Sequence, residues 1–551
     1  MQPLHHRLVS LLIDSLNNTQ AAGDLPALDS PAAIALDRPK KPEWGNYSTP
    51  LALGLARSAR LPPLEVASRL LKHLPPSELI AQATTSAPGF INLTLNPAWV
   101  AAQVEAILAA GPGFADFDLG GGAKAMVEFV SANPTGPLSV GRGRGGVIGD
   151  TVANLLAAAG YDVTREYYFN NAGKQMRDLA ESLRLRYAQA LGQEVEFPES
   201  YYQGEYLTDL GRRLASERGD SLAAAEWTAF KEIAESAMFD SIKGTLSRLR
   251  IYMDVFFNEN SLYDDGSVWD VVRELRERGH AYDSEGAVWF KATAFGGTED
   301  RVIVKSTGEP TYRLPDIAYH RNKLGRGFAL VVDVLGADHK DAFPDVLRGV
   351  QALGLDPSGI QMLMNQFVTL KGEKMSTRAG RFTLLDELID EVGADVVRFF
   401  MLMRSAESHL EFDLDLAKEQ SEKNPVYYVQ YAHTRIAGIL RKAQAAGHTA
   451  DGGDVSRLTH PGEQALIRKI LELPDVIELA LKDLAPHHLP YYAQELATIF
   501  HGFYRDCQVL PSENQPVDPA TTKARLKLVS AAKIGLARAL GLMGVSAPEM
   551  M

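Results

Sequence analysis

Apolar residues recur at three- and four-residue intervals over about 4–18 and 64–74, which predicts two amphipathic helices, and APGFINLTL (87–95) reads as a strand. A Gly-rich linker, GPGFADFDLGGG (111–122), separates this small α+β unit from the rest of the chain. The pattern then changes to AMVEFV (125–130), an apolar Ala-rich helical run VIGDTVANLLAAA (147–159) closed by Gly160, and YDVTREYYF (161–169). Strand, helix, strand in that order is a βαβ unit and predicts a parallel sheet. Residues 172–250 are mostly charged helical sequence, and 261–297 reads as a helix plus a β element. The strand theme returns in FALVVDVLGADH (328–339) and QMLMNQFVTL (361–370), and from about 384 the spacing is almost entirely helical. The expected fold is therefore multidomain α/β. Residues 1–110 form an α+β unit, 121–390 a parallel-sheet domain with an inserted helical and β segment at about 172–300, and 391–551 an all-α bundle.

A length of 551 residues suits about three or four domains. Asp and Glu (69) outnumber Lys and Arg (56), so the net charge is −13 and no global basic footprint for nucleic acid exists, although a local basic face still binds RNA. The single cysteine, Cys507, excludes intrachain disulfides and Cys-rich zinc sites and fits a reducing compartment. No apolar run reaches the roughly 18 residues that span a bilayer. The N-terminus reads as an amphipathic helix rather than a signal peptide, so a cytoplasmic protein without a membrane partner is expected.

The stretch NPTGPLSVGRGRG (133–145) packs four glycines and two arginines between a strand and a helix. Arg142 and Arg144 have the wrong sign for the positive end of a helix dipole unless an anion sits there. GRGRGG (141–146) also fits G-x-G-x-x-G, with Glu166 where a dinucleotide fold places its ribose carboxylate, so a nicotinamide oxidoreductase is a remote alternative. The roughly ten residues between strand and first glycine argue against it, and the absence of Gly-Lys-Ser/Thr excludes a P-loop. Either the run is a flexible turn with solvated arginines, or it is a nucleotide phosphate site. The dipole favours the latter, with Pro134, Thr135, Gly136, Gly141, Gly143, Arg142 and Arg144 around the phosphates.

A second basic loop, VTLKGEKMSTRAGRF (368–382), lies about 235 residues further on. Together with the Pro-Thr-Gly turn it resembles the paired signatures of class I aminoacyl-tRNA synthetases, whose loop cations stabilise charge on the leaving pyrophosphate. VEFVSANPTGPL, REYYFNNAGKQ, EPTYRLPDIAYH, LGADHKDAFPDVL, GEKMSTRAG, NPVYYVQYAHTRI and the closing ARALGLMGVSAPEMM resemble the arginyl-tRNA synthetases in order and spacing nearly end to end. The resemblance implies a class I Rossmann-like catalytic domain, an N-terminal domain that reads the D-loop side of tRNA, and an anticodon-binding bundle. It further implies Mg-ATP, L-arginine and tRNA(Arg) as substrates, arginyl-adenylate as intermediate, a monomer, and no metal held by the protein itself. Lys374, Arg378, Arg142 and Ser139 would act on the phosphates, with Met375 and Ser376 beside ATP.

A guanidinium is a planar five-donor fork best met by carboxylates and amides. Glu128 stands inside an apolar strand and either pairs with a structural cation or receives such a substrate. Asp316, four residues after Tyr312, either complements a helix dipole or binds the ligand. The resemblance maps Glu128, Asn133, Tyr312 and Asp316 onto an arginine pocket, with His339 a further candidate. It also assigns Tyr47, Tyr431 and Arg435 to tRNA. Tyr47 either stacks on a base or packs in the small core.

The chain departs from the family at the first signature. Ser139-Val140-Gly141-Arg142 stands where His-x-Gly-His is usual, Thr377 replaces the second Lys of the loop signature, and NNAGKQ replaces Asn-Asp-Ala-Gly. Two explanations compete. Arg142 takes over as a phosphate partner, or the chain is a degenerate paralogue that binds arginine or tRNA without aminoacylation. The placing of a fixed cation where phosphate charge develops favours the first.

Overall fold

The computed structural model describes residues 2–27, 34–39, 41–370, 384–513 and 515–551. The Leu4–Ala21 helix forms because Leu4, Leu8, Leu12 and Leu16 fall on one stripe and are all buried. Its neighbours are the Leu51–Ala59 and Pro63–Lys72 helices and an antiparallel sheet in the order β1 (Tyr47–Thr49), β3 (Phe90–Leu95), β2 (Ile80–Ser86).

The next layer is a five-stranded sheet. Its strands, in spatial order, are β11 (Ile360–Asn365), β10 (Leu330–Gly336), β4 (Lys124–Glu128), β5 (Asp162–Phe169) and β6 (Val255–Asn258). Every neighbouring pair is parallel. The apolar residues of β4 and the central valines of β10 (Val331, Val332 and Val334) are buried, as sheets covered on both faces require. β6 lies within the segment expected to be one insertion at 172–300. VFFN is the sheet's edge strand, and helices with their own core around Leu179, Leu183 and Phe230 precede it. After it come the Ser267–Glu277 helix and an antiparallel sheet of β7 (Ala281–Ser284), β8 (Ala287–Phe290) and β9 (Arg301–Val304). The Arg313–Gly325 helix then returns the chain to β10. The C-terminal part packs helices such as Pro425–Ala445, His488–Asp506 and Pro519–Leu542. Within the region expected to be helical, Leu410–Phe412 pairs as a strand with Val368–Leu370. Among the described residues no helix is long and apolar enough to cross a membrane.

The Gly-rich run is not the turn that its composition suggests. The helix linking β4 to β5 is Val140–Ala158, so Gly141, Gly143, Gly145 and Gly146 are helical, and the Ser139 hydroxyl caps it by accepting the Arg142 amide at 3.4 Å. Glycine costs a helix about 1 kcal/mol against alanine. Close approach explains it here. A Cβ on Gly143 would stand 2.7 Å from Leu385 Cδ1, and one on Gly149 would stand 2.4 Å from Phe129 Cβ. The helix thus lies hard against the end of β4. Gly149→Ala is expected to destabilise the protein by about 1–3 kcal/mol through overpacking, read as a lower urea midpoint with an unchanged slope.

Candidate active site

From β4 the chain runs outward through β5 to β6, then jumps to the other side of β4 for β10 and β11. The strand order therefore reverses between β4 and β10, and ligands of open parallel sheets bind beyond the carboxyl ends at such a point. A cavity of about 330 Å3 lies there, lined by Val130, Gly141, Arg142, Gly336 and Asn365 among others. A second, of about 400 Å3, is lined by Asn133, Thr135, Gly136, Gln175 and Tyr206. Ser139 and Arg142 belong to both.

The turn leaving β4 is strained. Val130 has φ 69° and Ser131 φ 41°, left-handed values that a β-branched residue adopts only when its surroundings impose them. Arg142 donates to the Val130 carbonyl at 3.3 Å, and the Ser131 hydroxyl donates to Glu128 at 2.9 Å and accepts the Tyr168 amide at 3.2 Å.

Below the turn lies a buried charge network. The Lys323 ammonium, 0% exposed, donates to Glu128 at 2.5 Å and to Asp333 at 2.6 Å. Burial alone would lower the Lys323 pKa, but Asp333 and Glu128 outweigh it and raise the value. Burial would raise Asp333, yet Lys323 and His320 hold it well below the usual carboxylate range. His320 Nε2 lies 2.8 Å from Asp333. Alongside, Glu166 takes both guanidinium arms of Arg326. That pairing, with Glu166 fully buried, removes it as a ribose carboxylate and with it the geometry of a nicotinamide site. Sequence reasoning missed Lys323 and Asp333, a lysine in a helical pattern and an acid in a strand, because the partners come from separate elements.

Asp316, in the first turn of the Arg313–Gly325 helix, is the acid left over. Burial raises its pKa to about 6, with the carboxylates of Glu259 and Glu128 adding to the rise and His320 and His339 opposing it. Glu259, also missed, accepts the Tyr168 hydroxyl at 2.8 Å. Among the described residues no lysine or arginine forms an ion pair with either acid.

The structure brings some candidates together and disperses others. Arg142 is exposed on the wall between the two cavities. Arg144 is not a phosphate ligand. It is 0% exposed and donates to the carbonyls of Gln366 (3.0 Å), Ser408 (2.8 Å) and Ser405 (2.9 Å), its pKa pushed down to about 10 by burial. Gly143 likewise packs against Leu385 rather than facing ATP. Gly141 does face the cavity, and its carbonyl accepts from Asn365 at 3.4 Å. Pro134 is buried beneath the turn, and the Thr135 carbonyl accepts the Tyr206 hydroxyl at 2.8 Å beside Gly136.

Glu128 is 5% exposed and committed to Lys323 and Ser131, which makes it a structural ion-pair partner in this state. Asn133 is exposed at the second cavity, donating to Gln175 at 3.0 Å and accepting the Asn170 amide at 3.0 Å. The Tyr312 ring is 92% exposed at the helix start and does not enter a cavity, against its placement in the pocket. His339 is exposed, 3.8 Å from Asp338. The unusual Asn171 is bonded, donating to Glu235 at 2.6 Å, where an aspartate would add a second carboxylate. Lys374, Met375, Ser376 and Arg378 lie in 371–383, outside the described residues.

Of the RNA candidates, Tyr47 is corrected. Its ring is 7% exposed, with the Arg38 guanidinium 5.4 Å from its centroid, and Arg38 pairs with Glu472 of the C-terminal part. It is cement between units and offers no face to a base. Tyr431 and Arg435 remain at the surface. Tyr431 stacks on Tyr427 at 6.1 Å, and Arg435 lies over Tyr431 (4.6 Å) and Tyr504 (5.3 Å). Burial and then Arg435 lower His501 to about 4, so this patch carries a neutral imidazole beside its cation.

Arg144→Met should strand three buried carbonyls and cost about 3 kcal/mol or more of stability in denaturant titration. Nucleotide affinity of the folded variant should stay within about twofold, because a surplus donor at the phosphates would be worth at least tenfold.

Three family models match the chain: the arginyl-tRNA synthetase N-terminal domain over 7–95, the class I (R) synthetase catalytic domain over 103–406, and the DALR anticodon-binding domain over 429–551. The arginine–tRNA ligase of Desulfotalea psychrophila is 46% identical over 525 residues, 94% of each chain. That of Heliobacterium modesticaldum is 42% identical over 566 residues, 100% of each. The Thermus thermophilus arginyl-tRNA synthetase structure superposes with a TM-score of 0.79 over 100% of both chains at 22% identity, a likeness of fold. With its catalytic model spanning more than half the sequence and its relatives matched end to end, the chain belongs to the class I arginyl-tRNA synthetases.

Proposed function

We infer that the chain is an arginine–tRNA ligase, which condenses L-arginine with ATP to arginyl-adenylate and passes the arginyl group to the 3′-terminal adenosine of tRNA(Arg). The observation that carries the chemistry is the half-buried acid Asp316, which feels the charge of Glu259 and has no lysine or arginine ion-pair partner among the described residues, on a helix tied to the end of β4 through Lys323, while the exposed Arg142 lines the cavity beyond the strand ends. A guanidinium supplies the missing charge and five donors, and a triphosphate supplies the anion.

In this assignment Asp316 and Glu259 receive the guanidinium, and Lys323 holds Glu128 fixed beneath them. Asn133 stands at the mouth. ATP enters as its Mg2+ complex, the ion riding on the phosphates. Arg142 meets the α-phosphate from the wall between the cavities, with Ser139 beside it, and Lys374 and Arg378, outside the described residues, are assigned to the β and γ groups. No covalent nucleophile is required, because attack of the arginine carboxylate on the α-phosphorus needs only alignment and a field that stabilises the leaving pyrophosphate. Tyr431 and Arg435 present a stacking and cationic surface to the anticodon arm. We place the protein in the cytoplasm as a monomer.

Arginine-dependent ATP–pyrophosphate exchange in the presence of tRNA tests this directly. Arg142→Ala should slow exchange by about 100- to 1000-fold. Arginine side chains do not titrate between about pH 6 and 7, so kcat should carry no ionisation from position 142 there, whereas the Ser139→His, Arg142→His double variant should acquire one. A native protein without exchange that this double change awakens would establish the degenerate paralogue instead.

Asp316 gives the opposite signature. Its ionised form binds the guanidinium, and its pKa stands at about 6, so the KM for arginine should climb as pH falls below that value and level off above it. Asp316→Asn should raise KM roughly 100-fold at neutral pH and abolish the climb.

A further inference from the structure

Asp345 is an over-neutralised carboxylate. It lies in the first turn of the Phe343–Ala352 helix with almost no exposure and accepts from Arg301 Nε (2.9 Å), Arg313 Nε (3.0 Å) and an arm of Arg348 (2.8 Å). Arg301 has one further partner, the exposed Glu299. Three guanidinium charges therefore face two carboxylates, in a half-buried place where like-charge repulsion is weakly screened. Arg313 and Arg348 each use one of five donors on Asp345, and their remaining edges have no partner among the described residues. One arginine balances the charge of one carboxylate, so the tether between β9 and the catalytic sheet carries positive charge beyond what Asp345 and Glu299 neutralise.

The position is informative. Arg313 opens the helix whose first turn carries Asp316, and the helix bearing Asp345 and Arg348 follows β10 by way of the Ala337–His339 turn. Both helices start at the carboxyl ends of the strands, so the cluster sits on the rim of the ligand crevice. None of the three arginines lines the cavity that Arg142 serves. The ATP phosphates have their own cation, and the surplus charge on the rim is left for another anion.

We propose that Arg301, Arg313 and Arg348 form a docking site for a backbone phosphate of the unpaired 3′ end of tRNA. This rests on the ligase assignment, in which that end must cross the crevice rim to reach the arginyl carbonyl. The forks of Arg313 and Arg348 match the geometry of phosphate oxygens, and Asp345 holds them aimed. The exposed Glu299 competes for the same cluster and keeps it soluble when empty.

The test measures tRNA affinity at several salt concentrations, using full-length tRNA(Arg) and the same RNA shortened by its unpaired 3′ nucleotides. Arg348→Gln and Arg301→Gln should each weaken binding of full-length tRNA about tenfold. They should flatten the salt slope by about 0.7 and leave the shortened RNA unaffected. Equal weakening of both RNAs would mark a structural tether and overturn the proposal, as would no weakening of either. Should these variants fold poorly, Glu299→Gln decides. It leaves the Asp345 clamp whole, is expected to tighten full-length tRNA about two- to threefold, and sinks the proposal if affinity does not change. Absence of arginylation by the native protein would be failure of the ligase assignment, which is distinct from a native protein that charges tRNA with both RNAs responding alike.

Discussion

A lysine ammonium with no access to water governs the ligand face. Lys323 holds its charge because Glu128 of β4 and Asp333 of β10 both reach it, and removing the lysine would leave two buried carboxylates without their shared cation, costing about 3–5 kcal/mol. The lysine belongs to the Arg313–Gly325 helix, where Asp316, His320 and Lys323 fall at i, i+4 and i+7 and so share one face. His320 bonds back to the Asp316 carbonyl at 2.7 Å and forward to Asp333, while Lys323 closes onto the sheet. Helix and strands are thereby fixed in register by charge, and the backbone that carries Asp316 is held by the same network. Tyr319 and Arg326, seven apart on the adjoining stripe, repeat the device with Glu166 of β5. An apolar contact would join helix to sheet at lower desolvation cost, but paired charges fix one register between the helix and the strands beneath it.

The two arginines of the opening helix divide its faces between them. Residues two apart on an α-helix are separated by about 200°, so Arg142 and Arg144 must point in opposite directions. One points into the crevice. The other passes under the helix to clamp the carbonyls of Gln366, Ser405 and Ser408, joining the end of β11 to the segment before the Leu410 strand. Both are arginines at one glycine-rich place, yet one is spent on the fold and the other stands exposed at the cavity.

That distinction is not legible in the sequence, because GRGRGG reads as a turn, for which no facing can be assigned. Glycine marks turns through its freedom at positive φ, but in the Val140–Ala158 helix it marks the close approach of Phe129 and Leu385, a tertiary demand. The parallel sheet, its βαβ entry, the strands at 328–339 and 361–370 and the helical C-terminal region are readable from periodicity, which is local. β6 is hidden because four apolar residues between helices cannot be told from helix by period. Tyr47 and Tyr312 exchange character, one buried by Arg38 and Glu472 across a domain boundary and the other bare at a helix start. Glu128 is recognisably costly in its strand, but its partner stands 195 residues away on a helix that gives no sign of facing inward.

The departure at position 142 gains sense from the strained turn. Val130 at φ 69° costs about 1–3 kcal/mol, and its carbonyl is turned toward the start of the helix. A guanidinium has enough donors to hold that carbonyl with one arm and present the other edge to a phosphate. A histidine has two ring nitrogens with one fixed donor when neutral, and cannot do both without taking up a proton. With arginine, the strained backbone and the anion share one permanent charge. In the proposed reaction, phosphate entering the crevice would meet a donor already oriented by the protein, which is how the chain would dispense with the histidine and keep the field that the leaving pyrophosphate requires.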